Sequence, residues 1–165
     1  MNRFAVVTIT LLFSCLVAFS SGCAKPTNLI SGTKIPSTDE NRQLIKVVER
    51  YRQAIERKDT GALLLMASQR SYYEDGGTQD GSDDYDYAGL RDVLAGRFLK
   101  ASNIRYSIRY VRIRRRGPRA FVEIFVDASF SMTDSTGQER REQIRDQNLL
   151  VLIQEKNKWK FVSGM

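Results

Sequence analysis

Residues 104–132 read IRYSIRYVRIRRRGPRAFVEIFVDASFSM, and their alternation decides the fold. Ile104, Tyr106, Ile108 and Tyr110 alternate with Arg105, Ser107 and Arg109, the period of two that marks a strand with one buried face. At Val111 the alternation slips by one, so Val111 and Ile113 now alternate with Arg112 and Arg114. A slip of this kind predicts a β-bulge, which bends a long strand. Gly117-Pro118 supplies a turn. Beyond it, Val122, Ile124, Val126, Ala128, Phe130 and Met132 share one face of a second long strand. Phe121, Glu123, Phe125, Asp127, Ser129 and Ser131 share the other. Thr136-Gly137 turns the chain again, and a third strand runs to about Ile153. The turn EKNK (155–158) then leads into a last strand carrying Trp159 and Phe161. The result is an antiparallel meander.

Upstream the period changes. Ser37 followed by Glu40 has capping-box spacing. Leu44, Val48, Tyr51 and Ile55, widened by Val47, form the apolar stripe of a helix of about five turns. Lys58 to Gly61 break it, and Asp59 or Thr60 can cap a second helix through ALLLMAS (62–68), apolar enough round its surface to predict burial. SYYEDGG (71–77) predicts a short strand and a turn, followed by an acidic loop to Asp86. Tyr87, Leu90, Leu94, Phe98 and Ala101 mark a third helix. The fold class is therefore α+β, a bent antiparallel sheet with about three N-terminal helices on one side.

With 165 residues, 42% of them apolar and 27% charged, one domain is expected. There is no histidine, which excludes Ser-His-Asp and Cys-His catalysis, histidine-ligated metals and a histidine pH switch. Two cysteines make no disulfide framework. No residue pattern asks for a metal or a cofactor.

The N-terminus is a targeting signal. Arg3 precedes an uncharged run from Phe4 to Phe19, too short for a span of about 20 residues, and Ser20, Ser21, Gly22 and Cys23 follow. The segment LVAFSSGC (16–23) resembles the lipobox of bacterial lipoproteins, which implies cleavage before Cys23 and lipid on its sulfur. Cys15 leaves with the signal, so Cys23 is the one cysteine of the mature chain. Loss of residues 1–22 also removes Arg3, lowering the formal net charge of +7 by one. Lys25 lies close behind and no aspartate directly follows Cys23, which by the same resemblance implies the outer membrane of a bacterial envelope. The expected organisation is a signal peptide over 1–22, a tether over 23–36 containing Pro26 and Pro36, and a domain over 37–165.

The residues VVERYRQAIERKDTGALLLMASQRSYYEDGG (47–77) and EKNKWKFVSGM (155–165), in this order of elements, resemble the nuclear transport factor 2-like superfamily. The likeness spans about residues 40–165 and implies a cone-shaped roll. Its members include ketosteroid isomerase-like enzymes, dehydratases, polyketide cyclases, transport factors and non-catalytic domains, so function has to come from the site.

Isomerase-type chemistry needs carboxylates or tyrosines facing an apolar pocket. Asp127 is the lone acid of an apolar strand, but its parity points it away from the apolar face. Tyr51, Tyr72, Tyr73, Tyr106 and Tyr110 are the candidate pocket residues, with one of Tyr72 and Tyr73 facing inward. The acids of EDGGTQDGSDDYDY (74–87) lack the spacing of an EF-hand and read as a solvated loop. Arg109, Arg112, Arg114, Arg115, Arg116 and Arg119, with Arg105, form a basic patch suited to phosphates, carboxylates or an acidic partner. An exported chain meets little nucleic acid, so no nucleic-acid partner is expected. Phe121 and Phe125 suggest a homodimer or an envelope protein on the outer sheet face. The leading expectation is a membrane-anchored domain that binds a protein or a small apolar ligand without catalysis. The alternative is a small cofactor-free isomerase, dehydratase or cyclase using Tyr and Asp groups.

Overall fold

The computed structural model describes residues 28–134 and 136–165; the expected signal peptide and Cys23 lie outside them. Helix α1 spans Asp39–Glu56 and α2 Thr60–Met66. A two-residue pair, β1 (Tyr73–Glu74) and β2 (Tyr85–Asp86), precedes α3 (Tyr87–Lys100). Strands β3 (Ala101–Arg116), β4 (Arg119–Thr133), β5 (Glu139–Glu155) and β6 (Lys158–Ser163) form one antiparallel sheet in chain order.

The α1 stripe packs as its spacing requires, with Leu44, Val47, Val48 and Tyr51 buried. Each such side chain contributes about 1.5–3 kcal/mol by leaving water. The cap is Thr38 rather than Ser37: its hydroxyl accepts from Asn41 N at 3.2 Å, while Ser37 Oγ accepts from Arg42 Nη1 at 2.7 Å. The charged side of α1 also does structural work. Tyr106 N of edge strand β3 donates to Glu56 Oε1 at 2.9 Å, which occupies a backbone donor that would otherwise be open to another strand.

Helix α2 is less buried than its composition predicts. Asp59 caps it, accepting from Ala62 N at 2.9 Å, but only Leu63 is fully covered and Leu65 is 73% exposed. The helix stops at Met66, two residues before the apolar run ends, and in its seven residues only Leu63 is buried. Its end is pinned to the sheet by Ser68 N donating to Phe161 O at 2.8 Å.

The bend of β3 comes from two bulges. Val111 is unpaired between Tyr110↔Ile124 and Arg112↔Glu123, where the alternation slips in the sequence. A second bulge falls at Asn103 and Ile104, with Asn103 at φ 52°. The concave face carries Val122, Ile124, Leu150, Leu152 and Phe161, each 0% exposed, against α1 and α3. Part of the expected tether is folded. Leu29 bridges Pro36, Ser37 N donates to Asn28 O at 2.6 Å, and Ile35 is 2% exposed.

Candidate functional site

Toward the start of β3 the sheet curls away from the helices and leaves an open cavity of about 1200 Å³. Its floor is the concave face, including Val126, Ala128 and Phe130; α1 contributes Tyr51 and Ile55, and α3 contributes Leu94, Arg97 and Phe98. Gly164 and Met165 close one side.

Of the five predicted tyrosines, the structure brings two together here. Tyr51 is 3% exposed and meets Tyr106 edge to face, centroids 6.1 Å apart at 86°, while its other side packs on Phe161 at 5.3 Å. Burial, then the neighbouring Tyr106 hydroxyl, holds the Tyr51 phenol well above its ordinary pKa; burial likewise raises Tyr106, and Arg97 works against both shifts. Both phenols are neutral at physiological pH; the Tyr51 hydroxyl donates to the Tyr106 oxygen, which leaves the Tyr106 hydroxyl as the donor available to the cavity.

The other three are elsewhere. Tyr72 is buried, but its hydroxyl is spent on Glu74 Oε2 at 3.0 Å; burial, then Glu74, raises its pKa. Tyr73 faces out and bonds Asp84. Tyr110 lies deeper under α1 and donates to Ile45 O at 3.4 Å. Tyr85, absent from the predicted set, lines the cavity and stacks near Tyr72 at 6.3 Å. Its alternation with Tyr87 just before α3 is the signal that could have found it.

Asp127 stands on the outer face. Its carboxylate accepts from Gln143 Nε2 at 3.0 Å and from Arg145 Nε at 3.1 Å, and these contacts, Gln143 first, hold it below the usual carboxylate range. It belongs to a surface ion pair and does not touch the cavity. Asp146 does: it pairs with Val126 on the concave face of β5, and Asp92 lines the cavity from α3. Extending the parity of Leu150 and Leu152 backward through Asn148 reaches Asp146, a signal carried by the register alone. Both acids are exposed, at the rim.

The acids of the loop after β1 organise that loop. Asp84 accepts from Gly76 N at 3.1 Å, Asp83 from Thr78 N at 3.2 Å and Asp75 from Gly77 N at 3.0 Å. Glu74 also accepts from Gly164 N at 2.6 Å, tying the loop to the end of the chain. Among the described residues no acidic group forms a metal cluster.

The arginine patch is less uniform than its sequence suggests. Arg112 and Arg114 both pair with Glu123, at 2.9 and 2.8 Å, and hold its carboxyl below the usual range. Arg109 lies over the Phe125 ring at 4.8 Å. Arg115 turns to the other side, pairing with Glu40 at 2.5 Å and covering Trp159 at 5.7 Å. Arg116 and Arg119 face solvent at the hairpin tip.

Three helices on a bent four-stranded meander, open into a cavity at one end, make a nuclear transport factor 2-like fold. No family model and no curated protein matches the sequence. Solved structures do match in shape. A protein from Novosphingobium aromaticivorans DSM 12444, assigned as a scytalone dehydratase, superposes with a TM-score of 0.64 at 12% identity, over 75% of this chain and 80% of its own. A conserved protein from Planctomyces limnophilus DSM 3776 gives 0.63 at 11% identity, over 75% and 91%. A ketosteroid isomerase-like protein from Erwinia carotovora atroseptica SCRI1043 gives 0.60 at 16% identity, over 76% and 93%. Identities this low establish the fold and nothing of the chemistry.

Proposed function

We propose that this chain is a lipid-anchored envelope protein whose domain binds a small, largely apolar molecule in the cone. The observation that carries the reading is the chemistry of the cavity wall. Its floor is apolar, the neutral Tyr106 phenol, oriented by Tyr51, offers a hydrogen-bond donor, and the carboxylates Asp92 and Asp146 stand at the exposed rim. Pockets of this make-up orient an apolar ligand through a few polar contacts.

Turnover is the second reading, favoured by one observation: the Tyr106 phenol and the acid Asp146 face the same cavity. The solved dehydratase- and isomerase-like neighbours have a cone of the same fold, which is compatible with it. The outer sheet face, with Phe121, Phe125 and the exposed Leu149, is the proposed seat of a second copy or an envelope protein.

An anilinonaphthalene sulfonate titration tests the binding reading. The probe is expected to bind the native chain saturably, and Ala128→Trp, which fills the floor from a side chain 4% exposed, should weaken it at least tenfold. Asp127→Asn on the other face should leave it unchanged. Equal probe binding by Ala128→Trp would overturn the reading. A ligand recovered chemically altered after incubation would favour turnover.

A further inference from the structure

The end of the sheet away from the cavity gathers charge of one sign. Gln154 N donates to Pro118 O at 3.0 Å, so the β3–β4 turn and the Lys156-Asn157 turn of β5–β6 lie side by side. The start of α1 joins them through Arg115–Glu40. The first described residue is there too, since Asn28 O accepts from Ser37 N, three residues before Glu40. At this pole Lys34, Arg116, Arg119, Lys156 and Lys158 are exposed, and none has an ion-pair partner among the described residues. The acids nearby are already engaged: Asp39 by Arg42, Glu40 by Arg115, Glu123 by Arg112 and Arg114, and Glu155 by Ser68 Oγ at 2.6 Å.

Cys23 stands five residues before Asn28, a connection that spans at most about 18 Å even when fully extended. A lipid on Cys23 therefore holds this pole against the bilayer. We propose that the basic pole is a docking surface for the anionic headgroups of that membrane. Guanidinium groups match phosphate oxygens in pairs, and ammonium groups add point charge. Each cation close to an anionic surface strengthens partitioning by about fivefold. An acyl anchor and a basic patch then act as two linked signals, one hydrophobic and one electrostatic. The cavity, at the opposite end of β4, faces the aqueous side.

The orientation rests on the lipidation of Cys23; the affinity for anionic headgroups does not, and the experiment keeps the two apart. The mature chain from residue 23, carrying Cys23→Ser, is sedimented with vesicles of phosphatidylcholine alone or with about 30 mol % phosphatidylglycerol. It should bind only the anionic vesicles, and binding should fall steeply as salt rises from about 0.05 to 0.5 M. The triple variant Arg116→Gln, Arg119→Gln, Lys158→Gln should lose on the order of 100-fold in partitioning. A charge-matched triple at the cavity end, Arg105→Gln, Arg140→Gln, Arg141→Gln, should lose less than about threefold. Absence of binding, equal binding to neutral vesicles, or equal losses from the two triples would overturn the proposal. No arm carries an acyl chain, so whether Cys23 is lipidated is read separately, from the intact mass of the native processed chain.

Discussion

Gly164 shows how one position can hold the cavity's shape. Its φ of +89° lies in the region that favours glycine, and a Cβ there would meet Leu149 O at 2.4 Å. The residue sits in a knot of backbone contacts: its N–H goes to Glu74, and its carbonyl accepts from Asn148 Nδ2 at 3.0 Å. Three elements thus converge on a residue with no side chain, and Met165 is carried from there to the cavity wall. Gly164→Ala should cost about 2–4 kcal/mol, from the strained φ together with the clash against a sheet carbonyl that cannot retreat. Urea unfolding reads that loss directly. A change below about 0.5 kcal/mol would mean that the end of the chain is not held as described. Reading the sequence alone, this glycine looks like an ordinary residue after a last strand, because its demand comes from Leu149, fifteen residues upstream and on another strand.

At the scale of elements, the β3–β4 hairpin separates what local pattern specifies from what it leaves open. Alternation placed Asp127 outward and located the bulge at Val111, because side-chain period depends only on neighbours along the strand. The partition of the arginines was not legible. Nothing in RIRRRG (112–117) says that Glu123 takes both Arg112 and Arg114 while Arg115 crosses to Glu40; the bulge and the packing of α1 decide that. The tyrosines divide in the same way. Tyr51 and Tyr106 reach the cavity, whereas Tyr110 lies against the earlier part of α1, where it donates to Ile45 O. The Glu123 cluster gives the hairpin a pH dependence of known sign. Its carboxyl lies lower in the folded chain than in the unfolded one, chiefly through Arg112. The stabilisation is therefore fully present above the unfolded value of about 4.3 and is lost as pH falls through the folded value. Glu123→Gln should be less stable than the native chain at neutral pH, and the gap should close on the acid side. Denaturant midpoints at about pH 7 and about pH 3 measure it. A gap that persists unchanged at the lower pH would show that the pair contributes nothing through ionisation.

Over the whole molecule, the cavity and the basic pole lie at opposite ends of the same strands. β4 has fifteen residues, which at about 3.3 Å each spans at most about 50 Å before bending is allowed for. The basic pole sits where β4 begins, and Phe130 and Met132 line the cavity where it ends. A protein held to the bilayer by Cys23 and the basic pole would therefore receive its ligand from water, and the membrane would not screen the rim acids Asp92 and Asp146. That arrangement can be measured on the acylated mature chain in anionic vesicles, with anilinonaphthalene sulfonate as the probe and Ala128→Trp as the blank for dye in the lipid. Affinity of the docked chain should match that of the Cys23→Ser chain in solution within about twofold, because the mouth stays open. A water-soluble quencher should reach the bound probe, while a quencher confined to the acyl chains should leave its emission unchanged. Strong quenching from within the bilayer, or an affinity that collapses on docking, would place the cavity mouth at the lipid surface and reverse the orientation.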